Sequence, residues 1–255
     1  MNDLVPNYLF PYVLTGTLAT VAAVMFGIHK ALKLAGWPSR DRRQAVWKLA
    51  VLLGTWFVAA LVPSWLGLYR TASSGAPTVV YGLLIPIIVG VLLFRQWPTL
   101  RRVIEAVPQR WIVTVQLYRA EGLIFLVLYA SGHLPGVFAW PAGVGDILLG
   151  LLAPVIGAAY AHESRNAAGW LRTWNLFGIA DLIVAVATGF LSSPSPLQMF
   201  AFGAPNELIS AFPLAMIPVF LVPLSVLLHL ASLKKLQQTQ TGWQLHEPLL
   251  VGQRS

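Results

Sequence analysis

Residues 137–160 read VFAWPAGVGDILLGLLAPVIGAAY, and this stretch decides the fold. Among its 24 residues only Asp146 is charged. An α-helix needs about 20 consecutive, mostly apolar residues to cross the hydrocarbon core of a bilayer. The stretch therefore predicts a transmembrane helix that carries a single acid near its middle.

Six other stretches are nearly as long and as apolar, which predicts a bundle instead of a single anchor. Of the 255 residues, 57% are hydrophobic and 10% are charged, and the mean hydropathy is +0.70. Soluble domains carry about 25% charged residues. The chain is therefore predicted to be an all-α, polytopic transmembrane helical bundle with a single domain over residues 1–235. The seven predicted spans are 9–28, 47–69, 78–95, 111–131, 137–160, 170–191 and 208–232.

The orientation of the bundle is predicted from its basic residues. Fifteen of the 17 Lys and Arg residues lie around the first, third and fifth loops or after the last span. Cytoplasmic loops of membrane proteins collect Lys and Arg. We therefore expect the N-terminus outside, the C-terminus in the cytoplasm and a multi-pass location in the cell inner membrane. Residues 236–255 are expected to form a polar, disordered cytoplasmic tail.

The net charge of +8 does not indicate a nucleic-acid-binding protein, because the basic residues flank apolar runs and form no separate domain. The lipid bilayer, with its anionic headgroups, is the expected partner. The chain has no cysteine, which excludes disulfides and thiolate metal sites. No metal or cofactor is predicted, and the oligomeric state stays open.

Four ionisable residues lie deep inside predicted spans, away from the span ends that lie near the membrane surfaces. They are Arg119, Glu121, Asp146 and Asp181. A charged residue at the centre of the bilayer costs at least about 2.5–3.5 kcal/mol, so it normally faces the bundle interior and has a partner. These four residues therefore predict a charged site at the membrane midplane, which three further polar residues extend: Gln116, Asn175 and Glu207.

The direction of these side chains follows from helical spacing. Small or polar residues recur every three or four positions on one face of a helix and allow another helix to approach closely. Two such stripes contain the aspartates: Gly143, Asp146, Gly150 and Gly157 in the fifth span, and Asn175, Gly178, Asp181, Ala185 and Thr188 in the sixth. Both aspartates are therefore predicted to face neighbouring helices.

The fourth span presents two polar faces. Gln116 and Arg119 share one face, and Tyr118 and Glu121 share the other. The simplest arrangement pairs Arg119 with Asp146 or Asp181 and leaves another acid either protonated or bound to a cation. A purely structural ion pair, which would only lock the helices together, is the alternative interpretation.

Three further features need an interpretation. Segment 96–109 is expected to be an ordinary cytoplasmic loop, with a short interfacial helix as the alternative. Pro213, Pro218 and Pro223 predict a kinked seventh span. His229 lies near the predicted cytoplasmic end of that span, which favours a structural or interfacial role.

The segment Gly143-Val144-Gly145-Asp146 resembles the GxGD signature of intramembrane aspartyl proteases of the presenilin and signal-peptide-peptidase type. In that family an aspartate after a tyrosine on the preceding helix completes a catalytic dyad, and a Pro-Ala-Leu motif follows. This chain has Tyr118-Arg119 in the first place and Pro213-Leu214-Ala215 in the second, while its second aspartate, Asp181, comes on the following helix. The resemblance implies that an enzyme of this kind would use Asp146 and Asp181 as its acid/base pair.

Three functions are therefore open. The leading hypothesis is a proton- or cation-coupled transporter or permease for a small solute, with the midplane charges as its site. The second is an intramembrane hydrolase that uses Asp146 and Asp181. The third is a non-catalytic membrane subunit or sensor in which the buried charges only hold the helices.

Overall fold

The computed structural model describes residues 5–70 and 78–251, with side chains up to residue 239. Within these ranges the chain is helical and contains no strand. Seven helices are long and apolar enough to cross a membrane. The predicted all-α bundle with seven membrane-capable helices is therefore confirmed.

The helices begin and end close to the predicted spans. Helices α1 to α4 are Leu9–Leu34, Ser39–Trp65, Val79–Gln96 and Pro98–Ala106. The fourth span, Gln109–Ala130, consists of α5 (Gln109–Thr114), a 3-10 segment (Val115–Gly122) and α6 (Leu123–Ala130). Helices α7 and α8 are Gly136–Ala161 and Ala167–Ser192. The seventh span, Ile217–Thr239, begins with a π-helix (Ile217–Leu221) and continues into α9 (Val222–Val251).

The predicted boundaries differ most from the structure at two spans: α2 begins at Ser39 instead of residue 47, and the seventh span begins after residue 208. It was expected from residue 208, but residues 208–215 form a short 3-10 turn and irregular turns, and the span begins at Ile217. Pro213 and Pro218 lack the N–H groups that a regular helix needs, which explains the late start. Helix α9 also runs past residue 235 to Val251, through much of the segment for which a disordered tail was predicted. Residues 252–255 of that tail lie outside the described residues.

Segment 96–109 is not an ordinary loop, because it contains the amphipathic helix α4. Val103 is buried against Ala31, Leu32 and Leu49 of the first two helices, and Leu100 and Ile104 pack against the same cluster. The charged side chains of α4 are exposed: Arg101, Arg102 and Glu105. An apolar face towards the bundle and a charged face away from it are typical of a helix that lies in the membrane interface.

Helix α7 is the centre of the bundle and packs on the fourth span and on α8. Its glycines explain the close approach, because a Cβ at Gly150 would lie 2.6 Å from the backbone nitrogen of Ala120. The outer surface is apolar, with Phe26, Trp65 and Phe177 more than 60% exposed. A soluble protein would bury such side chains, whereas a membrane protein presents them to lipid.

The two ends of the bundle differ in charge. We call the end where α1 finishes the basic end, because the Lys- and Arg-rich loops lie there. Hydrogen bonds connect the seventh span to two other elements at this end. Lys235 donates to the Ile104 carbonyl of α4, and Gln109, the first residue of the fourth span, donates to Ser232. At the opposite end the Phe212 ring packs edge-on against Phe10 and at a tilt against Trp65.

Candidate functional site

The fourth span tightens where it carries its charged residues. Val115–Gly122 is a 3-10 helix, which has three residues per turn, so Gln116, Arg119 and Gly122 fall on one face. All three are buried. Runs of this geometry longer than about four residues are uncommon, and inside a longer helix they often mark a functional hinge or a strained sequence. The eight-residue segment therefore sets the charged centre apart from the regular helices at either end.

Arg119 is the hub of the site. Its Nε donates to Asp146 Oδ1 at 2.8 Å, and its Nη2 donates to Asp181 Oδ2 at 2.5 Å. The Arg119 side chain is 1% exposed, whereas the two carboxylates are 15% and 16% exposed. The sequence predicted a pair between Arg119 and one of the two aspartates. Arg119 binds both, because α7 and α8 present their polar stripes to the same side of the fourth span.

His229 completes the first layer around Arg119. Arg119 Nη1 lies 3.1 Å from His229 Nε2, and guanidinium nitrogens can only donate. Nε2 must therefore accept, which places the ring hydrogen on Nδ1 and leaves the imidazole neutral. Nδ1 then donates to Asn175 Oδ1 at 3.0 Å. A structural or interfacial role was predicted for His229, and the interfacial alternative is wrong, because its side chain is fully buried at the centre of the bundle.

A chain of hydrogen bonds continues from His229 to the basic end. Asn175 Nδ2 donates to Ser232 Oγ at 2.9 Å, and Gln109 Nε2 donates to the same oxygen at 2.7 Å. All of these side chains are buried. We call this series Arg119–His229–Asn175–Ser232–Gln109 the polar chain. It fills the interior between the charged centre and the basic end with donor–acceptor contacts and fixes the guanidinium in one orientation.

Glu121 occupies a different environment from the two aspartates. Its carboxylate lies against Gly16 of α1, where a Cβ would overlap with it. Within residues 5–70 and 78–239 it has no hydrogen-bond or ion-pair partner. The Tyr12 hydroxyl donates to the Glu121 backbone carbonyl, at 2.8 Å. The site therefore contains one guanidinium and three carboxyl groups, of which Glu121 has no cationic partner.

Two cavities meet at Asp146. The central cavity is small, with a volume of about 30 Å³, and its polar lining is Tyr12, Tyr118, Arg119, Glu121, Asp146 and Ser225. The end cavity has a volume of about 70 Å³ and extends towards the end opposite the basic end, where Val79 begins α3 and Ser193 follows α8. Asp146, Phe125 and Leu182 line both cavities. The two ion pairs of Arg119 therefore border the cavities on one side, and the polar chain covers them on the other.

The irregular start of the seventh span forms a shared wall of these cavities. Ile217 and Val222 line both cavities. Ile217 is the first residue of the π-helix, and Val222 follows its last residue. The Tyr118 hydroxyl donates to the Leu221 carbonyl at 3.1 Å and lies 2.6 Å from Ser225 Oγ. π-Helical turns occur frequently at functional sites. This contact ties the 3-10 segment of the fourth span to the π-helix of the seventh.

Two predicted site residues are not brought to the charged centre. Gln116 is fully buried, but neither its oxygen nor its nitrogen has a partner among the described residues, and it lines neither cavity. Glu207 is exposed in the irregular segment before the seventh span, towards the opposite end. Its backbone carbonyl accepts from Ser210. The other five predicted residues contact Arg119, the polar chain or the central cavity.

Sequence reasoning did not connect the seventh span with the site. Ser225, His229 and Ser232 are spaced by four and three residues, which places them on one helix face. This polar stripe in an apolar span is the signal that would have identified them. Tyr12 gave no such signal, since an aromatic residue near a helix start is ordinary in a membrane protein.

The Gly143–Asp146 motif has a clear packing role. A Cβ at Gly145 would overlap with the Asp181 carboxylate, and one at Gly143 would lie 2.8 Å from Leu126. The motif thus lets α7 approach both the fourth span and α8. Asp146 and Asp181 meet at the same guanidinium, so a cation stands where an aspartyl dyad would hold its shared proton and water.

The family model for a domain of unknown function, DUF8737, matches residues 76–237. The chain belongs to this family. The DUF8737 region begins just before α3 and contains Arg119, both aspartates and the whole polar chain, whereas Tyr12 and Gly16 of α1 lie outside it. Neither a curated protein nor a solved structure matches the chain.

Proposed function

We propose that the protein is a proton- or cation-coupled transporter of a small solute. In this proposal Arg119, Asp146 and Asp181 form the charged centre, and Glu121 faces the solute or ion from the central cavity. The observation that carries the proposal is the position of Asp146, which is paired with a buried arginine and also lines two cavities. A purely structural ion pair has no need of such access.

The charge balance supports coupling to a cation. The guanidinium is one positive charge among three carboxyl groups, and Glu121 has no donor among the described residues. Uncompensated negative charge is costly at membrane depth. Binding of a proton or a small cation near Glu121 or Asp146 would remove part of that charge, and its release would restore it. Such a difference between loaded and empty states is what a coupled transporter requires.

The asymmetry of access supports transport as well. Both cavities reach the charged centre, and the end cavity leads towards the end opposite the basic end. The polar chain covers the other side. Transporters expose a midplane site to one side at a time. We place the basic end in the cytoplasm, because 15 of 17 Lys and Arg residues favour that orientation. In this conformation the charged centre would therefore face the outside.

Proteoliposomes provide the test. Purified protein is reconstituted with an inward proton gradient and a negative-inside potential, and uptake is measured for labelled amines, amino acids and sugars. We expect at least one class of solute to accumulate. Asp146→Asn should abolish this uptake, whereas Asp41→Asn, which changes an exposed acid at the start of α2, should leave it unchanged.

The control outcomes separate the three hypotheses. If no solute accumulates with the wild-type protein, the transport proposal is wrong. If Asp146→Asn transports normally, Asp146 has no part in the transport site. Hydrolysis of a labelled transmembrane peptide that depends on both aspartates would favour the enzyme. If Asp146→Asn only lowers stability in detergent and leaves residual uptake in proportion to folded protein, the ion pair is structural.

A further inference from the structure

A third cavity lies at the basic end and is independent of the charged centre. It has a volume of about 400 Å³ and lies between α1, α2, α3 and α4, with the fourth and seventh spans as its floor. Its lining is apolar and includes Ile28, Leu53, Val89, Leu100 and Leu228. We call it the basic-end cavity. A large apolar space without polar partners does not hold ordered water.

The basic-end cavity opens sideways between α2 and α3. Both helices line it, yet they make almost no direct contact with each other. Helix α2 packs on α1, whereas α3 packs on the seventh span and on α4. Few residues of these two helices are buried, so their flanks face lipid. The gap between them therefore leads from the cavity into the hydrocarbon core.

The cavity lies in the half of the bundle near the basic end. On α3 its lining runs from Ile85 to Phe94, immediately before Arg95. The amphipathic helix α4 closes this end, with Leu100 in the lining and Arg101 exposed beside it. Lys48 precedes the lining residue Leu49. Within the described residues, none of these three cations forms an ion pair with an acid.

We propose that the basic-end cavity binds one anionic phospholipid of the surrounding bilayer. One acyl chain would enter between α2 and α3, and the phosphate headgroup would lie at Lys48, Arg95 and Arg101. Acyl chains are as apolar in the bilayer as in the cavity, so selectivity comes from the headgroup. Basic residues at the cytoplasmic surface attract anionic lipids, and pockets between transmembrane helices bind their headgroups.

Two glycines provide matched variants for a test. A Cβ meets no atom within 4 Å at Gly27 or at Gly54. Gly27 lines the cavity, whereas Gly54 is exposed on α2 and does not line it. The full-length protein is reconstituted in vesicles of equal phosphatidylglycerol and phosphatidylcholine and extracted in mild detergent, and retained lipid is counted by native mass spectrometry. We expect one retained phosphatidylglycerol in the wild type, at least a tenfold loss in Gly27→Phe, and no change in Gly54→Phe.

The headgroup contribution is tested separately. The double variant Arg95→Gln with Arg101→Gln should lose most of the preference for phosphatidylglycerol over phosphatidylcholine. Arg165→Gln with Arg172→Gln removes two exposed cations, one from the loop between α7 and α8 and one from the start of α8, and should keep the preference. Equal losses in both double variants would show that only the overall charge matters, which would overturn the assignment of the headgroup site.

Photo-crosslinking of the wild-type protein avoids any effect of a bulky substitution on folding. Phosphatidylglycerol with a diazirine in its acyl chain should label residues 23–28 and 85–94, the cavity segments of α1 and α3. The same probe on phosphatidylcholine should label them at least fivefold less. Equal labelling by both lipids, or equal retention by Gly27→Phe and the wild type, would overturn the proposal.

Discussion

Arg119 Nη1 lies 3.1 Å from His229 Nε2, so a guanidinium and an imidazole share a hydrogen bond at the centre of the bundle. Two side chains that both carry positive charge at low pH normally avoid each other. Here the neutral imidazole accepts from the guanidinium, and Asn175 accepts from the opposite ring nitrogen. The pairing therefore depends on one tautomer of His229.

Replacement of His229 tests this relationship. His229→Leu removes the acceptor for Arg119 and the donor for Asn175, both of which are buried. Unsatisfied buried polar groups cost about 1–3 kcal/mol, so we expect the free energy of unfolding to fall by about 2 kcal/mol. Thermal denaturation in detergent measures the change. His162→Leu, at an exposed position after α7, should change it by less than about 0.5 kcal/mol. A His229→Leu protein as stable as the wild type would contradict the arrangement.

Removal of the guanidinium should be more damaging than removal of a carboxylate partner. Arg119→Gln leaves Asp146 and Asp181 without their cation, and breaking a buried ion pair in this way costs about 3–5 kcal/mol. Adding Asp181→Asn removes one unpaired charge, so the double variant should be more stable than Arg119→Gln alone. A double-mutant cycle compares the unfolding free energies of the wild type, Arg119→Gln, Asp181→Asn and the double variant. It should give a coupling energy of about 0.5–3 kcal/mol. Strictly additive effects would mean that the two groups do not interact.

Gly145 should tolerate no larger residue. Gly145→Ala would place a Cβ on the Asp181 carboxylate and separate it from Arg119. We expect a loss of about 1–3 kcal/mol of stability. Gly54→Ala is the matched control, because its Cβ meets no neighbour and alanine favours a helix by roughly 0.5–1 kcal/mol. A lower melting temperature for Gly145→Ala and a higher one for Gly54→Ala would support the close packing of Gly145 against Asp181. A higher melting temperature for both variants would refute it.

The orientation can be tested with single cysteines, because the chain has none of its own. Ser131 and Ser164 are exposed in loops at opposite ends of the bundle. A membrane-impermeant maleimide should label Ser131→Cys in intact cells and Ser164→Cys only after the cells are permeabilised. The reverse pattern would place the basic end outside and invert the proposed topology.

The fold followed from the sequence because apolar length is a direct physical requirement of the bilayer. The pairing of Arg119 with an aspartate of α7 or α8 followed as well, since the stripes of small and polar residues identified the faces of those helices that approach a neighbour. Both predictions rest on local spacing. The convergence of three side chains on Arg119 depends on how three helices are arranged, and no local pattern in one sequence contains that information.

His229 shows how one boundary error hides a site residue. With a span at 208–232, His229 falls near the interface, and an interfacial role is the natural interpretation. The actual span, Ile217–Thr239, places it near the middle. The difference arises from the prolines, which delay the helix and leave buried irregular backbone before it. Apolar composition alone does not distinguish such a segment from a helix.

The π-helix at Ile217–Leu221 separates the regular helix of the seventh span from the irregular segment that precedes it. Beyond it, Ser225 and His229 fasten the span to Tyr118 and Arg119. Before it, Leu214, Ala215 and Met216 are fully buried, and the Phe212 ring packs against Phe10 and Trp65. A rotation about Ile217–Leu221 would therefore shift apolar contacts beside the end cavity, while the hydrogen bonds of Ser225 and His229 to Tyr118 and Arg119 stayed in place.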